Sequence, residues 1–340
     1  AAREAQEAAE EAPVPRGTSR DHAERVAERG LDRQRITQRS RLCKRETFCC
    51  CARAASAAQP GMAPIIHPTE PWGDLNPGRW SPGTSTVDFC EFNYIVTALI
   101  AEFWNTLSSF AMVIVGVLGV ALHRRSLETR FLLSFALIAV VGFGSVAFHA
   151  TLWREGQLAD ELPMLWVVLV YTYILIEDGP VKRFGWKLPA ALFVHAIFIT
   201  ALATFSSGTL QFILFHASFA PPEFFSFYRI YRLYRRQTEA GYVAEGRIFR
   251  VGAACFVSGI VVWLFEMGFC EVTRDWLPRV TNGWVPNPQL HAWWHVLASS
   301  GLYFLTLTTA FDAVRASGGT PVIRWWCGAV PWCDRKAQRE

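Results

Sequence analysis

Long apolar segments alternate with short polar loops from Ile95 onward. Each segment is close to the roughly 20 residues that an α-helix needs to cross a bilayer. Pro221 and Pro222 lie within the fifth segment and should interrupt and kink it. Because backbone polar groups in lipid must be satisfied within each segment, the pattern predicts an all-α membrane protein with a bundle of about seven transmembrane helices. The predicted spans are approximately 95–122, 130–151, 159–177, 188–206, 209–234, 248–270 and 290–314.

Composition supports burial in lipid. The 340 residues are 51% hydrophobic and 14% aromatic but only 18% charged, which is low in charge for a soluble protein. The net charge of +4 is small and gives no support for nucleic-acid binding. The nine cysteines contain no CxxC pair, so the sequence does not favour a thiolate zinc site.

The N-terminal part differs from the rest. It is charged, rich in Ala and Arg, and lacks a long apolar run, so residues 1–71 are predicted to be a disordered extension. Residues 72–315 would form the helical bundle, and residues 316–340 a tail. The sequence indicates no protein partner.

The charges of the loops predict an orientation, because Lys and Arg near helix ends favour the cytoplasmic side. The loops "HRRSLETR", "EDGPVKRFGWK" and "RLYRRQTEAGYVAEGR" are basic, whereas the alternate loops are less so. The N-terminus is therefore expected in the lumen or outside, and the C-terminal tail in the cytosol. The basic residues of that tail are Arg315, Arg324, Arg335, Lys336 and Arg339.

Polar residues from four distant segments fall in one leaflet under this orientation. Ionisable side chains within membrane helices are costly, so each one is a functional hypothesis. The residues that share the outer leaflet are Glu102, Asn105, Ser145, His149, Asp160, Glu161, His291 and His295. Their convergence predicts a polar site within the bundle.

The stretch "HAWWH" places His291 and His295 four residues apart, on one helix face and about 5 to 6 Å apart at Cβ. This spacing suits one metal ion, and His149 could supply a third imidazole from another helix. Three histidines with a water in the fourth position form a catalytic zinc site. For "HAWWH" alone, an interfacial aromatic belt with histidines at the headgroups is an equally good interpretation.

Two further residues are candidates for the chemistry. Asp160 only accepts hydrogen bonds when ionised, and could orient a metal-bound water or take its proton. It could instead cap a helix or hold a histidine in place. Ser145 lies one helical turn before His149 and could add a hydroxyl group.

An acidic set stands before and inside the first predicted helix. Asp88, Glu91, Asn93 and Glu102 offer the hard oxygen ligands that suit Ca²⁺, although their spacing is not that of an EF-hand loop. Without a family argument, helix capping with a solvated charge cluster is the better interpretation.

Two cysteines are expected on the same outer side. Cys90 lies in the acidic stretch and Cys270 ends the sixth segment. In an oxidising lumen they could form a disulfide. Two unpaired buried thiols explain the sequence equally well.

Four blocks of sequence together identify a family resemblance. "TSTVDFCEFNYIVTALIAEFWNTLSS", "GSVAFHATL", "QLADELPMLW" and "HAWWHVLA" resemble, in order, the alkaline ceramidases. These are members of a superfamily of seven-helix membrane hydrolases that includes the adiponectin receptors. The resemblance runs from about residue 72 to 315. Phe89 stands where the family commonly has Trp, and Phe92 and Ala98 also depart from it.

The resemblance implies specific ligands. It implies that catalytic Zn²⁺ is bound by His149, His291 and His295, with Ser145 and Asp160 near the bound water. It implies that Ca²⁺ is bound by Asp88, Glu91, Asn93, Glu102 and the backbone carbonyl of Phe89. It also implies a disulfide between Cys90 and Cys270.

The implied function is zinc-dependent hydrolysis of a ceramide amide bond within the membrane, giving a sphingoid base and a fatty acid. The substrate would be ceramide, phytoceramide or dihydroceramide. Asp160 would take the proton of the attacking water and return it to the leaving amine, while Ser145 would hydrogen-bond the oxyanion. The expected location is the endoplasmic reticulum or Golgi membrane. Alternatives are a related zinc hydrolase of ester or GPI-linked lipids, and a non-catalytic lipid receptor with structural zinc.

Overall fold

The computed structural model describes residues 78–179, 181–283 and 286–336. The extension predicted at residues 1–71 lies outside these residues. Seven helices of 19 residues or more occur in the described part of the chain. They are α1 (Phe103–His123), α2 (Thr129–Thr151), α3 (Arg154–Ile176), α4 (Lys187–Phe205), α5 (Gly208–Glu239), α6 (Val243–Glu271) and α7 (Leu290–Ala316). The described part of the chain is mostly helical, as predicted, but it is not all-α, because two β-strands follow the last helix.

Five helical segments in the described ranges are long and apolar enough to cross a membrane. They are α1, α2, α3, α4 and the continuous stretch Val243–Val280, in which α6 passes into a π-helical turn, Val272–Trp276, and a short α-helical turn, Leu277–Val280. α4 shows this character most clearly, because only Ile199 and Ala203 of its residues are buried. Its other apolar side chains face outward, as a lipid-facing helix requires.

The first helix begins later than its apolar pattern predicted, at Phe103 rather than Ile95. The preceding segment bonds to the end of α2 instead of to its own next turn: Ala101 N donates to Ala150 O at 3.0 Å, and Glu102 N to His149 O at 2.9 Å. Tyr94 has a positive φ of 58°, which a helix does not contain. Tertiary hydrogen bonds thus replace a helix that local hydrophobicity favoured.

The interruption expected at Pro221 and Pro222 is wrong, because α5 runs through both prolines. Proline lacks a backbone N–H, so this helix lacks two of its internal hydrogen bonds at that point. The surrounding helices hold α5 in place, since Phe215 and Ile230 on either side of the prolines are buried.

Close approaches at glycine set the packing of neighbouring helices. A Cβ on Gly116 of α1 would lie 2.4 Å from Ala139 N of α2, and one on Gly301 of α7 would lie 2.8 Å from Phe256 N of α6. Only glycine allows backbones to approach this closely. The resulting core includes Phe135, Leu307 and Phe311, all fully buried.

A β-hairpin follows α7, where the sequence had indicated only a tail. β1 (Thr320–Trp326) pairs antiparallel with β2 (Val330–Lys336). Cys333 N donates to His123 Nε2 at 3.1 Å, and Tyr303 Oη donates to Pro331 O at 2.8 Å. These bonds attach the hairpin to the end of α1 and to α7.

Candidate metal centre

Three histidines from two helices meet in the interior of the bundle. His149 lies in the last turn of α2, whereas His291 and His295 lie in the first two turns of α7. All three are buried, and one ligand atom from each lies within 4.8 Å of the others. The structure therefore brings together the three side chains that the sequence proposed as metal ligands.

Each of these imidazoles has a polar neighbour at its Nδ1 atom. His149 Nδ1 hydrogen-bonds Glu102. His295 Nδ1 lies 2.9 Å from Ser108 Oγ. His291 Nδ1 lies 3.2 Å from Glu266 Oε2. Carboxylates and hydroxyls in these positions orient metal-binding histidines and select the tautomer that leaves Nε2 for the metal.

The three imidazoles fit a zinc ion, because one of their nitrogen atoms lacks a partner in the described part of the chain. His149 Nε2 is buried and has no hydrogen-bond partner among the described residues. An orphaned buried polar atom is costly unless a further group satisfies it. Three buried imidazoles, each with a polar neighbour at Nδ1, are compatible with the ligand set of a zinc site.

Ser145 lies beside the histidines, and Asp160 lies beside Ser145. Ser145 Oγ lies 3.5 Å from His295 Nε2 and accepts a hydrogen bond from Ser109 Oγ at 3.0 Å. The Ser145 hydroxyl also hydrogen-bonds the carboxylate of Asp160. The structure thus brings a hydroxyl to the histidines and a carboxylate to that hydroxyl.

Gly144 explains how Asp160 reaches Ser145. A Cβ at Gly144 would lie 2.0 Å from Ala159 O and 2.7 Å from Asp160 N. The backbone of α3 therefore packs directly on α2 at the residue before Ser145. Any larger side chain there would separate the serine from the aspartate.

The acidic set lies in the loop that leads into α1. Asn93 Nδ2 is 3.4 Å from Asp88 Oδ2, and Glu102 Oε1 accepts a hydrogen bond from Phe89 N at 3.1 Å. Asp88 Oδ1 and Asn93 Oδ1 are buried and have no hydrogen-bond partner in the described part of the chain. These oxygens have the hard character that Ca²⁺ prefers.

Glu91 of the acidic set also caps the N-terminus of α1. Its two carboxylate oxygens accept hydrogen bonds from Trp104 N at 2.7 Å and from Asn105 N at 2.9 Å, in the first turn of α1. Burial, and secondarily repulsion from Glu102, raises the pKa of Glu91 to about 7. The same two causes raise the pKa of Asp88 above its ordinary value. A bound cation would oppose both effects.

A family model for ceramidases matches residues 81–333. This chain belongs to the ceramidase family. Alkaline ceramidase 3 of Mus musculus is 30% identical over 270 residues, covering 77% of this chain and 97% of the relative. The alkaline ceramidase of Arabidopsis thaliana is 28% identical over 257 residues, covering 74% and 93%. Alkaline ceramidase YPC1 of Saccharomyces cerevisiae is 30% identical over 250 residues, covering 67% and 76%.

The resemblance to alkaline ceramidases is thereby confirmed. The matched region extends beyond the expected limit near residue 315 and includes the β-hairpin. The hairpin is therefore part of the ceramidase region of the chain.

Cys90 and Cys270 are joined in a disulfide bridge in this ceramidase, with their Cα atoms 5.5 Å apart. The bridge ties the acidic loop to the end of α6. Cys90 N donates to Glu266 Oε1 at 3.1 Å, so the same loop also contacts the carboxylate that lies next to His291. Disulfides persist in oxidising compartments such as the lumen of the endoplasmic reticulum.

Sequence reasoning missed some residues of the centre. Ser108 and Glu266, which contact His295 and His291, are not among the residues that the sequence predicted for the site. The signal for Glu266 was its position near the same end of the bundle as the histidines. Phe89 was expected only as a carbonyl ligand, but its ring also stacks on His291, with centroids 3.6 Å apart.

The remaining histidines of the helices lie elsewhere. His216 Nδ1 lies 2.9 Å from Phe212 O within α5. The side chain of His195 is exposed on α4. A histidine on a lipid-facing helix has no role at the centre.

Proposed function

We propose that this chain hydrolyses the amide bond of ceramide within the membrane, with a zinc ion bound by His149, His291 and His295. The buried cluster of these three imidazoles, in a chain of the ceramidase family, carries the proposal. Its products would be a sphingoid base and a free fatty acid. Relatives that share about 30% identity bear the name alkaline ceramidase, which supports this substrate class.

The chain's own residues suit the proton transfers of amide hydrolysis. A zinc ion on three imidazoles lowers the pKa of a water to about 7 and polarises a carbonyl group. Asp160 would accept a proton from the attacking water and deliver it to the nitrogen as the C–N bond breaks. Ser145 would donate to the oxygen of the tetrahedral intermediate in place of its hydrogen bond to Asp160, since its hydroxyl lies 3.5 Å from His295 Nε2 at the metal centre.

The bundle would supply the apolar surroundings. We infer that all seven long helices cross the membrane, including α5, in which Gln211 and Ser226 are buried, and α7, in which Thr306 and Thr308 are buried. The N-terminus would be lumenal and the C-terminus cytosolic, in the endoplasmic reticulum or Golgi. The disulfide at the histidine end supports a lumenal position for that end.

We also propose a calcium site formed by Asp88, Glu91, Asn93, Glu102 and the carbonyl of Phe89. The unpartnered oxygens of Asp88 and Asn93 support it. Glu102 hydrogen-bonds both Phe89 N and His149, so the acidic loop and the histidines share this residue. The ion would therefore stabilise the loop that holds one imidazole in place.

The proposal is tested by fatty acid release from purified protein. Ceramide, phytoceramide and dihydroceramide of varied acyl length would be supplied with and without a zinc chelator. Hydrolysis should disappear with the chelator, return with zinc, and be lost in His149→Ala together with bound zinc measured by elemental analysis. His216→Ala, at a histidine away from the centre, should behave like the wild type.

Other outcomes would replace the proposal. Cleavage of ester or GPI-linked lipids but of no ceramide would assign a different substrate. Stoichiometric zinc without turnover of any lipid would indicate a receptor with structural zinc. For the calcium site, Asp88→Asn should lose bound calcium while zinc is retained. Equal calcium content in the variant and the wild type would contradict that site.

A further inference from the structure

A cavity lies at the end of the bundle opposite the histidines. It lies between α2, α3, α5 and α7, is open to solvent at its mouth, and has an enclosed volume of about 20 Å³. Asp312 at this cavity and His295 at the metal centre lie on the same helix, about 25 Å apart at 1.5 Å per residue. The cavity is therefore separate from the catalytic centre.

The cavity has an apolar floor and a charged rim. Side chains such as Phe131, Ile174, Leu175 and Leu233 form the apolar part. The charged residues that line it are Arg130, Arg229, Arg236, Asp178 and Asp312. Three guanidinium groups and two carboxylates line the cavity, and Arg130 has a further carboxylate partner in Glu128.

The arginines differ in how far their donors are used. Arg130 is buried against Glu128, with Nε 3.0 Å from Glu128 Oε2. Arg229 donates to Leu175 O at 2.8 Å and to Asp178 Oδ2 at 3.1 Å. Arg130 and Arg229 therefore hold fixed positions.

Arg236 is the exception. It lies 3.8 Å from both Asp178 Oδ2 and Asp312 Oδ2. Its side chain makes no hydrogen bond to any described residue. The five N–H groups of the Arg236 guanidinium are thus available at the mouth of the cavity. The carboxylates of Asp178 and Asp312 hold the guanidinium at that position by electrostatic attraction.

We propose that this cavity binds a phosphate group. A guanidinium fork binds phosphate oxygens in a bidentate manner, with charge-assisted hydrogen bonds. Basic pockets between membrane helices bind the headgroups of anionic lipids, and the apolar floor suits the part of a lipid next to its headgroup. A free phosphate ion offers the same chemistry, so the source is decided by experiment.

A purely structural role for these charges makes a different prediction. If Arg236 only joined Asp178 to Asp312, the loss of either partner would weaken the same contact. If the cavity binds phosphate, loss of the positive charge and loss of a negative charge have opposite effects on the ligand.

The test measures binding to the purified full-length chain in neutral detergent. Thermal unfolding and native mass spectrometry would be recorded with phosphatidylglycerol, with diacylglycerol, which lacks phosphate, and with inorganic phosphate. We expect one phosphatidylglycerol per chain, an affinity about tenfold or more lower in Arg236→Gln, and a higher affinity in Asp312→Asn. Arg235→Gln is the matched control, since Arg235 is exposed on the same helix and pairs with Glu239.

Protection by phosphatidylglycerol alone would assign the ligand to a lipid headgroup, and equal protection by inorganic phosphate would assign it to a soluble anion. Protection by diacylglycerol, equal binding to Arg235→Gln and Arg236→Gln, or weaker binding to Asp312→Asn would overturn the proposal. The readout is binding, so its failure is distinguishable from a failure of ceramide hydrolysis.

Discussion

The two ends of the helix bundle differ in the exposure of their charged pairs. At the histidine end, His149 and Glu102 are fully buried and bonded to each other, and His149 Nε2 faces no partner among the described residues. At the other end, the ion pair of Arg229 and Asp178 remains 36% and 44% exposed. Buried unpaired groups are costly, whereas exposed pairs contribute little to stability. The first arrangement is typical of a site for chemistry, and the second of ligand binding or anchoring at a surface.

The largest expected effect comes from removing a buried histidine at each end. His295 and His123 are 2% and 0% exposed, so they are matched in burial. His295→Ala should lose bound zinc and reduce ceramide hydrolysis by more than about 1000-fold, because it removes a direct ligand rather than a supporting group. Elemental analysis and fatty acid release would measure both.

His123→Ala should instead affect stability. It removes the acceptor of the Cys333 N–H, and a buried N–H left unpaired costs about 1 to 3 kcal/mol of unfolding free energy. Zinc content should be unchanged while the thermal midpoint falls. Equal zinc loss in His295→Ala and His123→Ala would contradict the view that only the histidine at the metal centre binds zinc.

The second largest effect is expected when the kcat values of two aspartate variants, near opposite ends of α3, are compared. Asp160→Asn keeps the shape of the side chain but removes the proton acceptor, so kcat should fall about 10²- to 10⁴-fold with zinc retained. Asp178→Asn, which follows α3 at the other end, should leave kcat within about twofold. Steady-state kinetics in mixed micelles would check both. If Asp160→Asn kept most of its activity, the base would have to be another group.

The smallest of these effects concerns a glycine. Gly144→Ala should push α3 away from α2 and reduce kcat about tenfold to hundredfold, since a displacement of about 1 Å can have an effect of that size. Gly268→Ala is the control, because a Cβ there would meet nothing within 4 Å. It should leave activity unchanged. Similar kinetics for the two alanine variants would mean that the close helix contact does not position Asp160.

The part of the site that the sequence could predict depends on helical geometry and on the predicted orientation of the helices in the membrane. His291 and His295 share a face through their spacing, and loop charges place His149 and Asp160 in the same leaflet. These inferences need only the helical period and the order of the membrane segments.

The remaining features depend on packing that no single segment encodes. Glu266 lies beside His291 because α6 and α7 pack closely at Gly301, which sets their relative position. The loop before α1 is apolar enough to predict a helix, but hydrogen bonds to the end of α2 hold it in another shape. The hairpin likewise depends on contacts with His123 and Tyr303, which lie far from it in sequence.

The distribution of the histidines over α2 and α7 has a consequence for biosynthesis. Proteins are made at about 5 to 20 residues per second, so His149 is synthesised on the order of ten seconds before His291 and His295. During that time the nascent chain contains one imidazole of the three. A product of interrupted translation that ends before α7 therefore carries no complete metal-binding set, and hydrolysis in the membrane would begin only after α7 has been inserted.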